Sequence, residues 1–271
     1  MYFMLTKKIA ILIVVLFSTI NTYSQLIEEY RTCAIERANM KDYEGAIDYF
    51  TRIIELNSKD TVSYFDRAMM KENCHDYKGA IEDYTRGIAI DSNNVDNYFL
   101  RGIVKNTIKD YKGAIIDFNK TVELEPANAD GYYFRGIAKS ELQLYKDAII
   151  DYTKAIEKRT NHAEAYSNRG WAKHQLKEYS SALVDYKKGI ECDSTYVDVY
   201  YNSSRTKLKL NDLMGALKDI DNAIKLNPIF ADYYLLRAEL KLSVKRDDSA
   251  CADYRTYKTL GGERKIAIRC E

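Results

Sequence analysis

The chain has 271 residues, with 41 Lys and Arg against 40 Asp and Glu, so its formal net charge at pH 7 is +1. This balance argues against nucleic-acid binding, which requires a basic excess or a basic stripe. The sequence holds three His and no HExxH, CxxC or glycine-rich phosphate-binding motif. We therefore expect a non-catalytic protein with no cofactor and no metal site.

Residues 1–24 have the layout of a secretory signal peptide. Two adjacent lysines precede the apolar run 9–17, and a polar stretch follows it. That run is too short for a membrane span, which needs about 20 residues. Thr22 and Ser24 form a small-x-small site, so we predict cleavage after Ser24, with an uncleaved N-terminal anchor as the alternative.

Cleavage at this site sets the expected location of the mature chain. It removes two lysines and no acid, which changes the net charge from +1 to −1. The mature chain would contain no membrane span, and the Tyr-Ser-Gln junction is similar to signal peptides of Bacteroidetes-type bacteria. We expect a secreted or periplasmic protein in the cell envelope of a Gram-negative bacterium.

An alanine recurs every 34 residues through the rest of the chain, without insertion or deletion. These alanines are Ala46, Ala80, Ala114, Ala148, Ala182, Ala216 and Ala250. When each is numbered as position 20, seven repeats begin at Ile27, Thr61, Val95, Ala129, Ala163, Val197 and Ala231. A fixed period of this length indicates stacked copies of one supersecondary unit.

Other positions of the repeat are equally regular. Position 4 is always Tyr, position 8 is always small, positions 17 and 24 are mostly aromatic, and both prolines lie at position 32. This pattern resembles the tetratricopeptide repeat, whose period is 34 residues, and it covers residues 27–262. The resemblance implies an all-α fold, a right-handed α-solenoid of about seven 34-residue helix-turn-helix repeats.

Polar positions of the repeat predict how its two helices are held. Aspartates at position 16 suit the N-caps of the second helices: Asp42, Asp76, Asp110 and Asp212. Arginines at position 7 and aspartates at position 23 predict a ladder of ion pairs. If exposed, each pair would contribute only about 0–1 kcal/mol.

The C-terminal segment and the cysteines carry a second set of predictions. Residues 263–271 are predicted to form a short capping helix after a Gly-Gly break, pinned by a Cys251–Cys270 disulfide worth about 3 kcal/mol. A similar Ala-Cys-x-Asp…Cys ending occurs in secreted bacterial tetratricopeptide proteins. The alternative is two separate buried thiols. The three remaining cysteines are expected to be small buried apolar residues or, alternatively, thiols that pair with a partner: Cys33, Cys74 and Cys192.

In this family, positions 2, 5, 9, 12 and 13 of the first helix line a concave groove. The resemblance places acids at position 2, apolar and aromatic residues at positions 5 and 9, and a histidine at position 12 of repeat 5. The predicted partner-binding residues are Phe65, Met69, Phe99, Ile103, Tyr133, Ile137, Trp171, His174, Tyr201, Asp96, Asp130 and Glu164. Two alternatives stay open: acids near a helix N-terminus also offset the helix dipole, and residues at positions 5 and 9 also suit packing on neighbouring helices.

Together these features predict an interaction scaffold that binds a protein partner (a peptide, helix or subunit) in the groove, anchored by aromatic side chains. The alternative is a rigid structural spacer in a cell-envelope complex, with contacts at its ends or convex face. Chaperone-binding members of the family hold a C-terminal carboxylate with Lys and Asn at positions 5, 9 and 13. Repeat 2 has Phe65, Met69 and Asn73 there, so that clamp is not expected.

Overall fold

The structure, a computed structural model, describes residues 22–245 and 247–266, and every regular element in this part of the chain is an α-helix. Residues 22–39 are helical (α1). The other helices are α2 (Tyr43–Leu56), α3 (Thr61–Asn73), α4 (Tyr77–Ile90), α5 (Val95–Thr107), α6 (Tyr111–Leu124), α7 (Ala129–Glu141), α8 (Tyr145–Lys158), α9 (Ala163–Gln175), α10 (Tyr179–Cys192), α11 (Val197–Lys209), α12 (Leu213–Leu226), α13 (Ala231–Ser243) and α14 (Asp247–Thr259). The predicted all-α repeat fold is confirmed.

The helices form two compact units, one up to Glu125 and one from Pro126 onward. The N-terminal unit contains α1 to α6, and the C-terminal unit contains α7 to α14. Within each unit, consecutive helices pack against each other. In the C-terminal unit the first helices of successive repeats (α7, α9, α11 and α13) also contact one another. We call the surface that these four helices present the first-helix face.

Local sequence signals determine where the second helices start. Position 15 adopts a left-handed backbone conformation, with φ between 59° and 65°, in all seven repeats, which ends the first helix. The aspartate at position 16 then accepts a hydrogen bond from a backbone N–H three residues later, as in Asp42 to Gly45 at 3.0 Å. The same cap forms at Asp76, Asp110 and Asp212, so the predicted caps are confirmed.

The cores of repeats 1 to 6 are each organised around one large, fully buried side chain at position 24. Tyr84, Tyr152 and Tyr186 are among the largest fully buried side chains. Position 8 of the same repeat is small because the ring occupies the space beside it. A Cβ added at Gly136 would lie 2.7 Å from a ring carbon of Tyr152. Helices α7 and α8 can therefore approach this closely only because Gly136 has no Cβ.

Buried ion pairs hold the two helices of a repeat together. In repeat 5, Arg169 donates two hydrogen bonds to the Asp185 carboxylate, at 3.0 and 2.7 Å. Lys173 contacts the same carboxylate at 2.8 Å, and Arg169 also donates to Thr153 of the preceding repeat at 3.0 Å. The Arg–Asp–Lys group recurs at Asp83, Asp117, Asp151 and Asp253.

The predicted ladder of ion pairs is therefore present, but its carboxylates are not exposed. Asp185 is only 2% exposed, and its counterparts are similarly buried. The expectation of about 0–1 kcal/mol for each pair was made for exposed charges, so it does not apply to this buried ladder. Removing one partner of a buried pair leaves an uncompensated charge, which is strongly destabilising.

Repeat 6 departs from the ladder because Ser203 occupies the arginine position. The Ser203 hydroxyl donates to Asp219 at 2.6 Å, and Lys207 contacts the same carboxylate oxygen at 2.6 Å. Lys187 of the preceding repeat stands where Thr153 accepts from Arg169 one repeat earlier. Repeat 6 thus has one cation fewer around its buried aspartate.

Restoring the arginine is expected to stabilise the C-terminal unit. The double change Ser203→Arg and Lys187→Thr supplies both the guanidinium and its second acceptor. We expect the free energy of unfolding in urea to rise by about 1 kcal/mol. Ser203→Lys introduces an ammonium group in place of the planar guanidinium, so it should raise the free energy of unfolding by less. A lower urea midpoint for the double variant would show that the ladder geometry does not transfer to repeat 6.

The chain after α14 differs from the predicted capping helix. Gly261, with φ of 88°, follows the end of α14, and residues 262–266 are not helical. Side chains form hydrogen bonds with backbone groups that would pair with each other in a helix. The Tyr257 hydroxyl accepts from the Arg264 N–H at 2.8 Å, and Lys258 donates to the Gly262 carbonyl at 2.9 Å. Residues 262–266 form an irregular segment that we call the C-terminal strap. Residues 267–271 lie outside the described part of the chain.

The cysteines also differ from expectation. Cys74 is exposed, and Cys33 and Cys192 are only half-buried, so the prediction of three buried thiols is wrong. Position 14 caps the end of α3 at the surface, and position 7 is the partly solvated arginine position of other repeats. Cys251 is buried. Its predicted partner Cys270 lies outside the described residues, so that disulfide stays a prediction.

Residues 1–21 of the predicted signal peptide likewise lie outside the described part of the chain. Residues 22–24 belong to α1. Among the described residues, no helix has the length and apolar character needed to cross a membrane.

Candidate functional site

Two clefts open on the first-helix face of the C-terminal unit. The α11–α13 cleft has a volume of about 490 Å³ and is lined by side chains of α11 and α13 together with His174 and the strap residue Arg264. The α7–α9 cleft has a volume of about 320 Å³ and is lined mainly by α7 and α9, including Trp171. Both volumes are in the range of sites that take side chains or small ligands.

Trp171 stands between the two clefts. It lines the α7–α9 cleft, and its ring stacks on His174 of the α11–α13 cleft with centroids 5.1 Å apart and planes 15° apart. The guanidinium carbon of Arg205 lies 4.7 Å from the centroid of the Trp171 ring and 5.6 Å from that of Tyr201. Tyr201 in turn contacts Tyr233, with ring centroids 5.0 Å apart. The arrangement holds a cation against aromatic rings.

His174 is a neutral member of this cluster. The Thr206 hydroxyl donates to the Asn202 carbonyl at 2.8 Å, so the Nδ1–H of His174 donates to Thr206 Oγ1 at 2.7 Å. This assignment leaves Nε2 as an acceptor. Burial, together with the positive charges of Arg205 and Lys209, lowers the pKa of His174 to about 4.

The lowered pKa of His174 predicts a pH-dependent stability. An unfolded histidine takes up a proton near pH 6.5, whereas the folded chain holds His174 neutral down to about pH 4. The unfolded state therefore binds more protons between these values, and stability falls as the pH drops from about 7 toward 4. His174→Asn should reduce the fall in the urea midpoint between pH 7.5 and pH 5.

The control for this experiment is His75→Asn, which changes an exposed histidine of the N-terminal unit. It should leave the pH dependence of the wild type unchanged. An equal fall in the midpoint for wild type and His174→Asn would contradict a neutral His174 in the folded chain.

Charges are distributed unevenly along the α11–α13 cleft. Arg205 and Lys209, at positions 9 and 13 of repeat 6, line it toward the end of α11, and Asp232 lines it at the start of α13. Arg264 of the strap contacts Glu239 of α13 at 3.1 Å. The strap therefore contributes a wall to this cleft, and the cleft has a basic end.

Several predicted groove aromatics belong to the packing of their own repeat. Phe65 contacts the buried ring of Tyr84 at 5.9 Å, and Phe99 contacts Phe118 at 6.0 Å between centroids. In each case a residue at position 5 packs on the large residue at position 24. The packing alternative is therefore favoured at these two positions.

Tyr133 follows the same rule. Its ring centroid lies 6.1 Å from that of Tyr152 and 4.7 Å from that of His162, and its hydroxyl accepts from Asn168 at 3.2 Å. Burial, with a smaller contribution from the Glu164 charge, raises the pKa of Tyr133 to about 12. These contacts give Tyr133 a structural role on the first-helix face.

The acids predicted at position 2 are partly used inside the chain. Asp130 accepts a hydrogen bond from Arg159 at 2.7 Å, and Glu164 lies 3.0 Å from His162 Nδ1. Asp96, in the N-terminal unit, is exposed. Asp96, Asp130 and Glu164 line neither cleft of the C-terminal unit, whereas Asp232, the position-2 acid of repeat 7, lines the α11–α13 cleft.

The remaining predicted residues divide between the units. Ile137 lines the α7–α9 cleft with Trp171, and Tyr201 lines the α11–α13 cleft with His174. Met69 lines a separate cleft of about 410 Å³ in the N-terminal unit, and Ile103 is half-buried there.

Sequence reasoning missed Arg205 and Lys209, the basic residues of the α11–α13 cleft. Both occupy positions already assigned to the groove, so a search of positions 9 and 13 for residues unlike those of other repeats would have found them. It also missed Arg264, because a capping helix was expected there. No repeat pattern identifies a strap residue.

The fold defines an all-α repeat protein, and comparison with known proteins agrees. A family model for the tetratricopeptide repeat matches residues 163–196, which is repeat 5. This match and the solved structures described below support the tetratricopeptide repeat family that the sequence pattern predicts. A search of curated proteins gave no significant match.

Solved structures share this fold. A tetratricopeptide repeat protein from Parabacteroides merdae superimposes with a TM-score of 0.71 at 16% identity, over 89% of this chain and 95% of that one. PilW, a type IV pilus biogenesis factor, gives a TM-score of 0.67 at 16% identity, over 73% and 92%. YrrB, described as having an unusual peptide-binding site, gives 0.57 at 25% identity, over 73% and 97%. This class consists in general of non-catalytic interaction scaffolds.

Proposed function

We propose that this chain is a non-catalytic scaffold that holds a peptide segment of a protein partner on the first-helix face of its C-terminal unit. The observation that carries the proposal is the position of Trp171 between two clefts, with Arg205 and Tyr201 beside it. Trp, Tyr and Arg are the residues most enriched among the energetic anchors of interfaces. Successive partner side chains would enter the α7–α9 and α11–α13 clefts.

Affinity capture with paired variants tests this function. The full chain, Trp171→Ala and Val184→Ala would each be used as bait against an envelope extract. Val184 is 62% exposed on α10, a second helix, so its replacement removes apolar surface away from the first-helix face. We expect the partner to be lost with Trp171→Ala and retained with Val184→Ala. Equal capture by all three folded baits would contradict the proposal and favour a spacer with contacts elsewhere.

We further propose that the scaffold acts in the cell envelope after export. The signal-like segment 1–24 and the cysteine pair Cys251 and Cys270 support this location, since disulfides persist in oxidising compartments. The mass of the chain recovered from the periplasm or medium should match residues 25–271 with one disulfide. An unprocessed chain confined to the cytoplasm would contradict the export proposal.

A further inference from the structure

We propose that the α11–α13 cleft binds a side-chain carboxylate, from Asp or Glu of the partner peptide, and that Arg205 is its principal contact. This inference rests on the proposed peptide-binding function and specifies the chemistry of the peptide. It does not involve the terminal carboxylate.

Arg205 differs from the other first-helix arginines in the described part of the chain. Each of those pairs with a carboxylate: Arg31, Arg37, Arg67, Arg101, Arg135, Arg169 and Arg237. Arg205 makes no ion pair or hydrogen bond with a described residue. It is positioned instead by the rings of Trp171 and Tyr201. A guanidinium held by two rings keeps its N–H donors available for an incoming carboxylate.

The surroundings of Arg205 favour an anion. Lys209 lies one helical turn further along α11, lines the same cleft and also has no ion pair among the described residues. Arg264 is already paired with Glu239. His174 is neutral, so it adds no charge to the cleft. The end of the cleft near Arg205 and Lys209 therefore has two cations that form no ion pair with a described carboxylate.

The same surroundings favour a ligand group that carries a single negative charge and is flanked by apolar groups. Asp232 and Glu239 also line the cleft and would repel a phosphate dianion more than a carboxylate. Leu208, Leu235 and Leu236 supply apolar lining. An acidic side chain flanked by apolar ones fits this combination.

Trp171 allows binding to be followed directly, because it is the only tryptophan of the chain and Arg205 lies against its ring. The probes are tryptophan-free dodecapeptides, blocked at both ends, selected from a random library on the full chain. Each selected peptide is then remade with Gln or Asn in place of its acid, and also with a free C-terminus. Dissociation constants come from Trp171 emission for the wild type and for the Arg205 variants.

We expect selected peptides to be enriched in Asp or Glu. Replacing the acid, or changing Arg205→Gln, should each weaken binding about tenfold, in line with the loss of a charge-assisted hydrogen bond. The two changes together should cost little more than either alone, because both remove the same contact. Arg205→Lys should retain part of the affinity. Arg86→Gln, the same charge change at an exposed site of the N-terminal unit, should have no effect.

Peptides that alter Trp171 emission without a preference for acids, or that bind Arg205→Gln as tightly as wild type, would overturn the carboxylate assignment and leave the proposed function intact. If only peptides with a free C-terminus bind, the bound carboxylate is the terminal one, and the assignment to an Asp or Glu side chain is overturned. If selected peptides leave Trp171 emission unchanged and bind Trp171→Ala equally well, the proposed function fails as well.

Discussion

Asp185→Ala is expected to lower the unfolding free energy of the C-terminal unit by about 3–5 kcal/mol. Asp185 is 2% exposed and receives two hydrogen bonds from Arg169, with Lys173 at 2.8 Å. Without the carboxylate, two cations face a site from which water is largely excluded. Urea unfolding followed by helical circular dichroism measures the loss.

Glu191→Ala is the matched control, because it removes an acid from the same helix. Glu191 is exposed and pairs with Lys188 at 2.7 Å. A solvent-exposed pair of this kind contributes little to stability. If both variants lose the same small amount, the ladder adds no more stability than surface charge does.

A third variant distinguishes the effect of an unpaired buried charge from the effect of lost side-chain volume. Replacing Arg169, Lys173 and Asp185 together by apolar residues of similar size should recover most of the stability lost by Asp185→Ala. Buried ion groups replaced as a whole are often neutral or stabilising, whereas broken ones are not. Failure to recover would indicate that the hydrogen bond from Arg169 to Thr153 of the preceding repeat carries the effect.

The ladder illustrates what the sequence could predict and what it could not. The 34-residue period fixes which residues face each other, so the pairing of positions 7 and 23 and the caps at position 16 follow from spacing alone. Burial does not follow from spacing. Asp185 loses its solvent because neighbouring helices and the arginine itself cover it, and this depends on packing between repeats.

The candidate site shows the same division. Sequence pattern selects the first-helix positions, and Trp171, His174 and Tyr201 do line or border the two clefts. The pattern does not distinguish a side chain that lines a cleft from one that packs inward. That distinction depends on contacts in three dimensions: Tyr133 contacts Tyr152 of its own repeat, whereas Tyr201 contacts Tyr233 of the next repeat.

The C-terminal strap was beyond sequence reasoning for a different reason. The spacing of Ile266 and Cys270 suits one face of a short helix, and that spacing predicted a cap. The Tyr257 hydroxyl and Lys258 instead bind backbone groups of the strap. These side-chain contacts compete with helix formation, and a repeat pattern does not reveal them.

Tyr133→Ala is expected to destabilise the C-terminal unit by about 3 kcal/mol, a typical cost of deleting a packed aromatic ring. The ring contacts Tyr152 and His162, and the hydroxyl accepts from Asn168. Tyr133→Phe keeps the ring and loses only that hydrogen bond, so it should cost about 1 kcal/mol. Both values come from urea unfolding at pH 7.5.

Trp171→Ala should behave in the opposite way to Tyr133→Ala. Trp171 borders two open clefts, so its removal should cost less stability and more binding, whereas Tyr133→Phe should keep the partner. A Tyr133→Phe chain that folds normally and loses the partner would place the Tyr133 hydroxyl in the interface. A Trp171→Ala chain that unfolds as readily as Tyr133→Ala would make Trp171 part of the core, and the case for a binding surface between the two clefts would then rest on Arg205 alone.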